Sequence, residues 1–204
     1  MNKTELLQSL KSKGFHEEII NAFSKVRREA FISENLKEYA YEDRPLSIGG
    51  EQTISQPYTI AVMLSLLELK KGQKILEIGS GSGYVLALLS VMVGRRGRVY
   101  GVERIKQLVD TSKESLKDYE NVEVYNRNGI SGLKEYAPFE RIVISAGYNK
   151  VPKGLVSQLK EDGILVAPIG PSHEKSMMQF KKIKGRLILK KEITGFSFVP
   201  LIED

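Results

Sequence analysis

Residues 75–88 read ILEIGSGSGYVLAL: a short apolar run, three glycines at alternate positions (Gly79, Gly81, Gly83), and a second apolar run. No other stretch constrains the fold as strongly. A strand that ends in glycines just before a helix marks a site where bare backbone approaches a nucleotide-like ligand. Lys74–Ile78 is the predicted strand and Tyr84–Val93 the predicted helix, stopped by Gly94.

The alternation continues downstream. Arg98–Val102 reads as a strand, Ile105–Tyr119 as a helix, Val122–Tyr125 and Arg141–Ser145 as strands, Pro152–Leu159 as a helix and Ile164–Pro168 as a strand. Continuously apolar strands separated by helices predict an α/β fold: a Rossmann-like, doubly wound, mostly parallel sheet covered on both faces. Upstream, residues 4–13 and 16–26 carry apolar residues at helical spacing. Tyr39–Ser55 has no steady period and reads as a long loop, a kind that is often functional. Pro57 then opens a helix to about Leu69. Past 170, "MMQFKKI", "RLILKKEI" and "FSFVPL" read as separate antiparallel edge strands, with Gly185 and Gly195 between them. One domain over 1–204 is expected: N-terminal helices and loop to 56, an α/β core over 57–170, and a β extension over 171–204.

Composition narrows the chemistry. The chain has 204 residues, no cysteine and two histidines, His16 and His173. Disulfides, thiol nucleophiles and thiolate metal sites are excluded, and no metal or histidine-based triad is expected. No apolar run approaches the roughly 20 residues that span a bilayer. The opening "NKTELLQSLKSKG" reads as an amphipathic stretch rather than a signal peptide, so a cytoplasmic enzyme is expected. The net charge of +6 is dispersed, which fits a solvated surface better than a nucleic-acid stripe. The oligomeric state has no signature in the sequence.

The glycine turn selects among ligands. A phosphate-binding loop needs Gly-Lys-Ser/Thr, and no lysine follows here. A dinucleotide site needs a third glycine where this chain has Tyr84. The pattern present is Glu-x-Gly-x-Gly-x-Gly, from Glu77 through Gly79, Ser80, Gly81 and Ser82 to Gly83, the form used for S-adenosyl-L-methionine. Glu103 ends the next strand beside Arg104, about twenty residues on, where an acid can accept hydrogen bonds from both ribose hydroxyls. Asn128 and Gly129 follow the third strand, where an amide can meet the adenine edge. Each residue has a plainer reading: a tight turn for the glycines, a helix-start acid for Glu103, a simple turn for Asn128-Gly129. Together, on successive strand ends, they point to the adenosyl ligand.

"EDRPLSIGGEQTISQPYTIAVMLSLL" (Glu42–Leu67) resembles the segment that precedes the glycine turn in protein-L-isoaspartate O-methyltransferases, a class I S-adenosylmethionine-dependent family. The likeness continues through "GSGSGY", "VYGVER", "APFERIVISAG" and "VPKGLVSQLKEDGILVAPIG" to "FVPLIED", covering nearly everything from about Arg28. Its Q-T-I-S-x-P stretch is specific to that family. The resemblance implies methylation of the free α-carboxylate of isoaspartyl residues in damaged proteins and peptides. The ester then closes to a succinimide that reopens partly as normal aspartate. The acceptor is already ionised near neutral pH, so the reaction needs orientation and no strong base.

The resemblance further implies that Ser55 is the active-site residue, that Gln52, Thr53 and Ile54 wall the cofactor, and that Val199, Pro200 and Leu201 line the acceptor side. From the residues alone, capping the helix that Pro57 opens is the better reading of Ser55, and the two roles are compatible; Val199–Leu201 can be plain edge packing. The chain departs from the family at Tyr58, where histidine is frequent, at Asn128, where aspartate is frequent, at the bulkier Tyr148, and at Glu77, where aspartate is also used. The alternatives are a tRNA or rRNA base methyltransferase, a small-molecule methyltransferase of the same fold, and a non-catalytic adenosylmethionine-binding protein.

Overall fold

The computed structural model describes residues 1–171 and 174–202. His173, and the Glu203-Asp204 pair that closes the family-like stretch, lie outside the described residues. The principal sheet runs in the order β5-β4-β3-β6-β7-β8-β9. Its parallel part comprises β3 (Lys74–Ile78), β4 (Arg98–Glu103), β5 (Val122–Asn126), β6 (Phe139–Ile144) and β7 (Leu159–Ile169), and antiparallel β8 (Glu174–Ile183) and β9 (Arg186–Ser197) extend one edge.

Strand alternation sends side chains to two cores. Ile75, Val99, Val143 and Val166 join one apolar cluster, while Leu76, Ile78, Val102, Ile142, Ile144 and Leu165 join the other. Both faces are therefore buried, which is why these strands read as continuous apolar runs. Helices α3 (Pro57–Leu67) and α4 (Tyr84–Val93) contribute to the first cluster, and Leu155 of α6 (Lys153–Gln158) to the second. Helix α5 (Lys106–Ser115) links β4 to β5.

The N-terminal helices complete the first cluster. Helix α1 (Lys3–Ser12) starts on a capping box, in which Asn2 and Glu5 each bond the other's backbone N–H. Leu6 and Leu10 of α1 and Ile19 and Phe23 of α2 (Glu17–Lys25) are buried among the residues of α3 and α4. The Phe23 ring meets Tyr84 edge-on at 6.2 Å. Residues 1–27 thus pack behind the helix that follows the glycine turn.

Strand β7 begins at Leu159, five residues before the expected Ile164, and four further features differ from the sequence-based expectation. The loop Tyr39–Ser55 contains a small hairpin, β1 (Leu46–Gly49) paired with β2 (Gln52–Ile54). Its turn places Gly49, Gly50 and Glu51 at φ of 89°, 57° and 59°, and strands this short leave no periodic trace. Helix α3 stops at Leu67 because Glu68 turns left-handed, and buried Arg141 donates to the carbonyls of Leu67 (2.6 Å) and Glu68 (2.9 Å). Helix α5 ends at Ser115, four residues before the expected end. Strand β9 runs through Gly195 rather than breaking there. Lys175 pairs with Phe196 and Met177 with Ile193, so a bulge with Gly195 at φ 90° absorbs the extra residue. No helix among the described residues is long and apolar enough to cross a membrane.

Candidate active site

The strand order reverses at β3, which pairs with β4 on one side and β6 on the other. Ligands of open α/β sheets sit at such a reversal, beyond the carboxyl ends of the strands. The glycine turn lies there. Gly79 and Gly81 hold φ of 76° and 51°, a region costly to residues with a Cβ. A Cβ on Gly81 would also stand 3.0 Å from Ile48 Cδ1 of the hairpin. Gly83 shares this left-handed backbone, at φ 88°, and has a second reason to be bare. It precedes α4, and a Cβ there would sit 2.7 Å from Leu116 Cδ1, so it serves helix packing and lines no part of the cleft.

The cleft has three adjoining lobes. The first, about 460 Å3, is lined by Gln52, Gly79, Glu103, Arg104, Gly129, Pro200 and Leu201, with Val102, Ile105 and Ile202 as apolar walls. The second, about 360 Å3, lies under the hairpin and is lined by Thr53, Ile54, Ser55, Glu77 and the Gly79–Ser82 turn, together with Ser145. The third, about 860 Å3, opens on the far side and is lined by Pro45, Thr53, Ser55, Thr59, Phe198, Val199 and Pro200. Gly79 is shared by the first and second lobes; Thr53, Ser55 and Ser145 are shared by the second and third.

Glu103 organises the first lobe. Its Oε2 accepts from Gly81 N at 2.9 Å and its Oε1 from Ile105 N at 2.9 Å. The carboxylate therefore ties the glycine turn to the start of α5, and each oxygen keeps acceptor capacity toward the lobe. Asn126 fixes this corner by donating to the carbonyls of Glu103 (3.0 Å) and Arg104 (2.8 Å). Asn128 does not line the lobe; its Oδ1 accepts from Ile130 N at 2.9 Å and caps the turn that carries Gly129.

Glu77 and Ser80 set the chemistry of the second lobe. Glu77 is 1% exposed, and its Oε1 accepts from Ser145 Oγ at 2.6 Å. Its Oε2 and the Ser80 Oγ are buried with no partner among the described residues. Burial pushes the Glu77 carboxyl up to about 8; the Ser145 bond opposes that rise and the Glu103 charge adds to it. Buried polar atoms left unpaired are rare, and here both line one small lobe.

Ser55 stands where the second and third lobes meet. Its hydroxyl bonds to no described residue, and it does not cap α3. The cap residue is Gln56, whose side chain takes no part, and the Tyr58 N–H is met instead by Asp43 Oδ1 at 2.8 Å. The C-terminal lining is held by backbone alone: Gly147 N donates to Val199 O and Leu201 N to Gly147 O, both at 2.8 Å. Sequence reasoning missed Ser145, Pro45, Thr59 and Phe198 as lining residues. Ser145 was the most accessible of these, since it directly follows a parallel strand and so faces the cleft.

The residues present fit an adenosyl amino acid. An apolar lobe suits a purine ring, a strand-end carboxylate suits ribose hydroxyls, and bare glycines beside an unpaired carboxylate oxygen suit an amino-acid tail. Fold and site together define an α/β enzyme of the S-adenosylmethionine-dependent methyltransferase class.

The comparisons with known proteins narrow the class. The profile of the protein-L-isoaspartate(D-aspartate) O-methyltransferase family matches residues 1–204. A protein-L-isoaspartate O-methyltransferase of Methanococcoides burtonii is 41% identical, over 97% of this chain and 98% of its own. The enzyme of the same name from Thermosipho melanesiensis is 40% identical, over 97% of this chain and all of its own. A solved Plasmodium falciparum structure, described as a protein-L-isoaspartate O-methyltransferase in complex with S-adenosyl-L-homocysteine, superposes with a TM-score of 0.87 at 28% identity, covering both chains in full. The chain belongs to the protein-L-isoaspartate(D-aspartate) O-methyltransferase family. It is an S-adenosylmethionine-dependent enzyme that methylates isoaspartyl residues in proteins and peptides.

Proposed function

We propose that the three lobes divide the work of this methyl transfer. The first takes the adenosine, with Glu103 accepting from the ribose hydroxyls and Gln52, Arg104, Gly129 and Leu201 around the ring. The second takes the amino-acid tail against Gly79, Ser80, Gly81 and Ser82. Glu77 there gives up its proton and meets the ligand's ammonium as a carboxylate. The third takes the isoaspartyl residue between Ser55, Val199 and Pro200. Thr53 and Ile54 close the cofactor side, and Asn128 supports the purine end by fixing the turn at Gly129.

When bound, S-adenosylmethionine supplies an electrophilic methyl group on a sulfonium. The protein's own contribution is orientation. The Ser55 hydroxyl donates to one oxygen of the acceptor carboxylate and aims the other toward the cofactor lobe. Holding reactants in a near-attack arrangement is worth up to roughly 7–11 kcal/mol. No base is required, because the acceptor carboxylate is ionised at neutral pH. The hairpin lies over the second lobe and keeps water from it. The chain works as one unit from its N-terminal helices to its C-terminal strands, and a cysteine-free chain of this kind suits the reducing cytoplasm.

The observation that carries the assignment is the position of Ser55: its hydroxyl is unbonded, it is relieved of capping by Asp43, and it lies at the border between cofactor and acceptor lobes. Ser55→Ala tests it. A hydrogen bond to a charged group is worth about 1.5–3 kcal/mol, so kcat/KM for an isoaspartyl peptide should fall about 10- to 100-fold. S-adenosylhomocysteine affinity and Tm should stay close to those of the parent. Unchanged turnover, or a loss of Tm with turnover intact, would refute the role.

A further inference from the structure

Arg28 is a buried cation that the chemistry above leaves unused. It sits in the short 3-10 turn Arg28–Phe31 and is 0% exposed. It makes no ion pair among the described residues. Its guanidinium instead donates to four main-chain carbonyls. Nη1 bonds Ala40 O (2.7 Å) and Glu42 O (3.3 Å), and Nη2 bonds Arg44 O (3.2 Å) and Ser55 O (3.0 Å). Those four bonds account for all four Nη protons. Nε is buried with no partner among the described residues.

The places of the carbonyls matter more than their number. Arg44 leads into the hairpin segment 45–54 and Ser55 leads out of it, so a single nitrogen bridges entry and exit. That segment supplies Ile48, Thr53 and Ile54 to the second lobe, and its two ends supply Pro45 and Ser55 to the third. The guanidinium also lies 6.0 Å from the ring of Tyr84, the residue that follows the glycine turn. Burial lowers the Arg28 pKa to about 10, with Tyr84 and Asp43 opposing the fall, so the group stays charged at neutral pH. Asp43 holds the next residues from the other side through Tyr58 N.

We propose that Arg28 is a positioning residue for methyl transfer, fixing the Ser55 hydroxyl toward the acceptor by clasping both ends of the β1–β2 segment to the helix that follows the glycine turn. The proposal rests on the role given to Ser55 above. Lysine cannot replace the fork, because its three N–H bonds radiate from one point. A loosened segment leaves Glu103, Glu77 and the backbone of the glycine turn in place and relaxes the Gln52, Thr53 and Ile54 wall, so cofactor binding weakens somewhat while the larger effect falls on the acceptor.

The test compares the parent protein with Arg28→Lys. A misplacement of about 1 Å can cost about 100-fold in rate, so kcat/KM for an isoaspartyl peptide should fall about 10- to 100-fold while S-adenosylhomocysteine affinity falls by a clearly smaller factor. Hydrogen exchange should quicken across residues 40–56. In Arg28→Gly, millimolar guanidinium should restore turnover and ammonium should not. A folded Arg28→Lys variant with parental kcat/KM, or one whose cofactor-product affinity falls in step with kcat/KM, overturns the proposal. If neither variant folds, the parent protein decides. Its Arg28 Nη resonances should shift when isoaspartyl peptide joins the S-adenosylhomocysteine complex, and no shift overturns the proposal. Failure of the parent to methylate the peptide would refute the reading of the site itself, which separates the two failures.

Discussion

Glu77 gives the sharpest thermodynamic prediction. In the ligand-free protein its carboxyl pKa rises from 4.5 to about 8, chiefly through burial. The native state therefore holds a proton that the unfolded chain releases near 4.5. Stability is fully present below that pH, declines by about 1.4 kcal/mol per pH unit as pH climbs, and levels off above about 8. The full difference is on the order of 5 kcal/mol. Glu77→Gln removes it, because the amide is neutral throughout and keeps an oxygen for Ser145 Oγ. At about 2–4 °C per kcal/mol for a chain of this size, the ligand-free variant should melt roughly 10 °C or more above the parent at pH 9 and close to it at pH 5. Scanning calorimetry across that range measures the difference directly. The same variant should bind S-adenosylhomocysteine more weakly. Parent binding near pH 7 should release a proton, visible as a dependence of binding heat on buffer ionisation enthalpy, and variant binding should release none. Melting curves of parent and variant that stay parallel from pH 5 to 9 would refute the reasoning, since Glu77 would then be ionised and solvated in the free site.

Glu103→Ala should weaken S-adenosylhomocysteine binding by about 10- to 100-fold, as a charged acceptor is lost, and should also loosen the glycine turn that Gly81 N anchors; unchanged affinity by calorimetry would contradict the ribose role. Asp43→Ala removes the acceptor for Tyr58 N and should lower stability by about 1 kcal/mol, the usual value of a helix cap, read as a denaturation midpoint; no change would mean that α3 starts without help from the loop.

Features that depend on local backbone were legible in the sequence. The glycine turn, the continuous apolar strands and the acid ending β4 each follow from neighbouring residues, and the structure places them at one end of one sheet. Features that depend on distant partners were not. From the sequence Ser55 reads better as a helix cap, yet the Tyr58 N–H bonds Asp43, fifteen positions before Tyr58. Gly83 reads as part of the ligand cradle; its φ of 88° and its closeness to Leu116, far along the chain, both call for glycine there. Gly195 read as a break, whereas a bulge lets β9 continue through it. Arg28 had no signature at all, because its partners are backbone carbonyls, which every residue possesses. Glu77 was readable as a motif position, but its raised pKa and unpaired oxygen emerge only from burial.

In the proposed reaction a carboxylate held at Ser55 receives the methyl group, and this carboxylate belongs to an isoaspartyl residue. The most direct measurement offers the enzyme two peptides of identical sequence, one with an isoaspartyl linkage and one with the normal aspartyl linkage, and follows methyl ester formation from S-adenosylmethionine. Ester should form on the isoaspartyl peptide alone. Equal labelling of both peptides, or of neither, would contradict it.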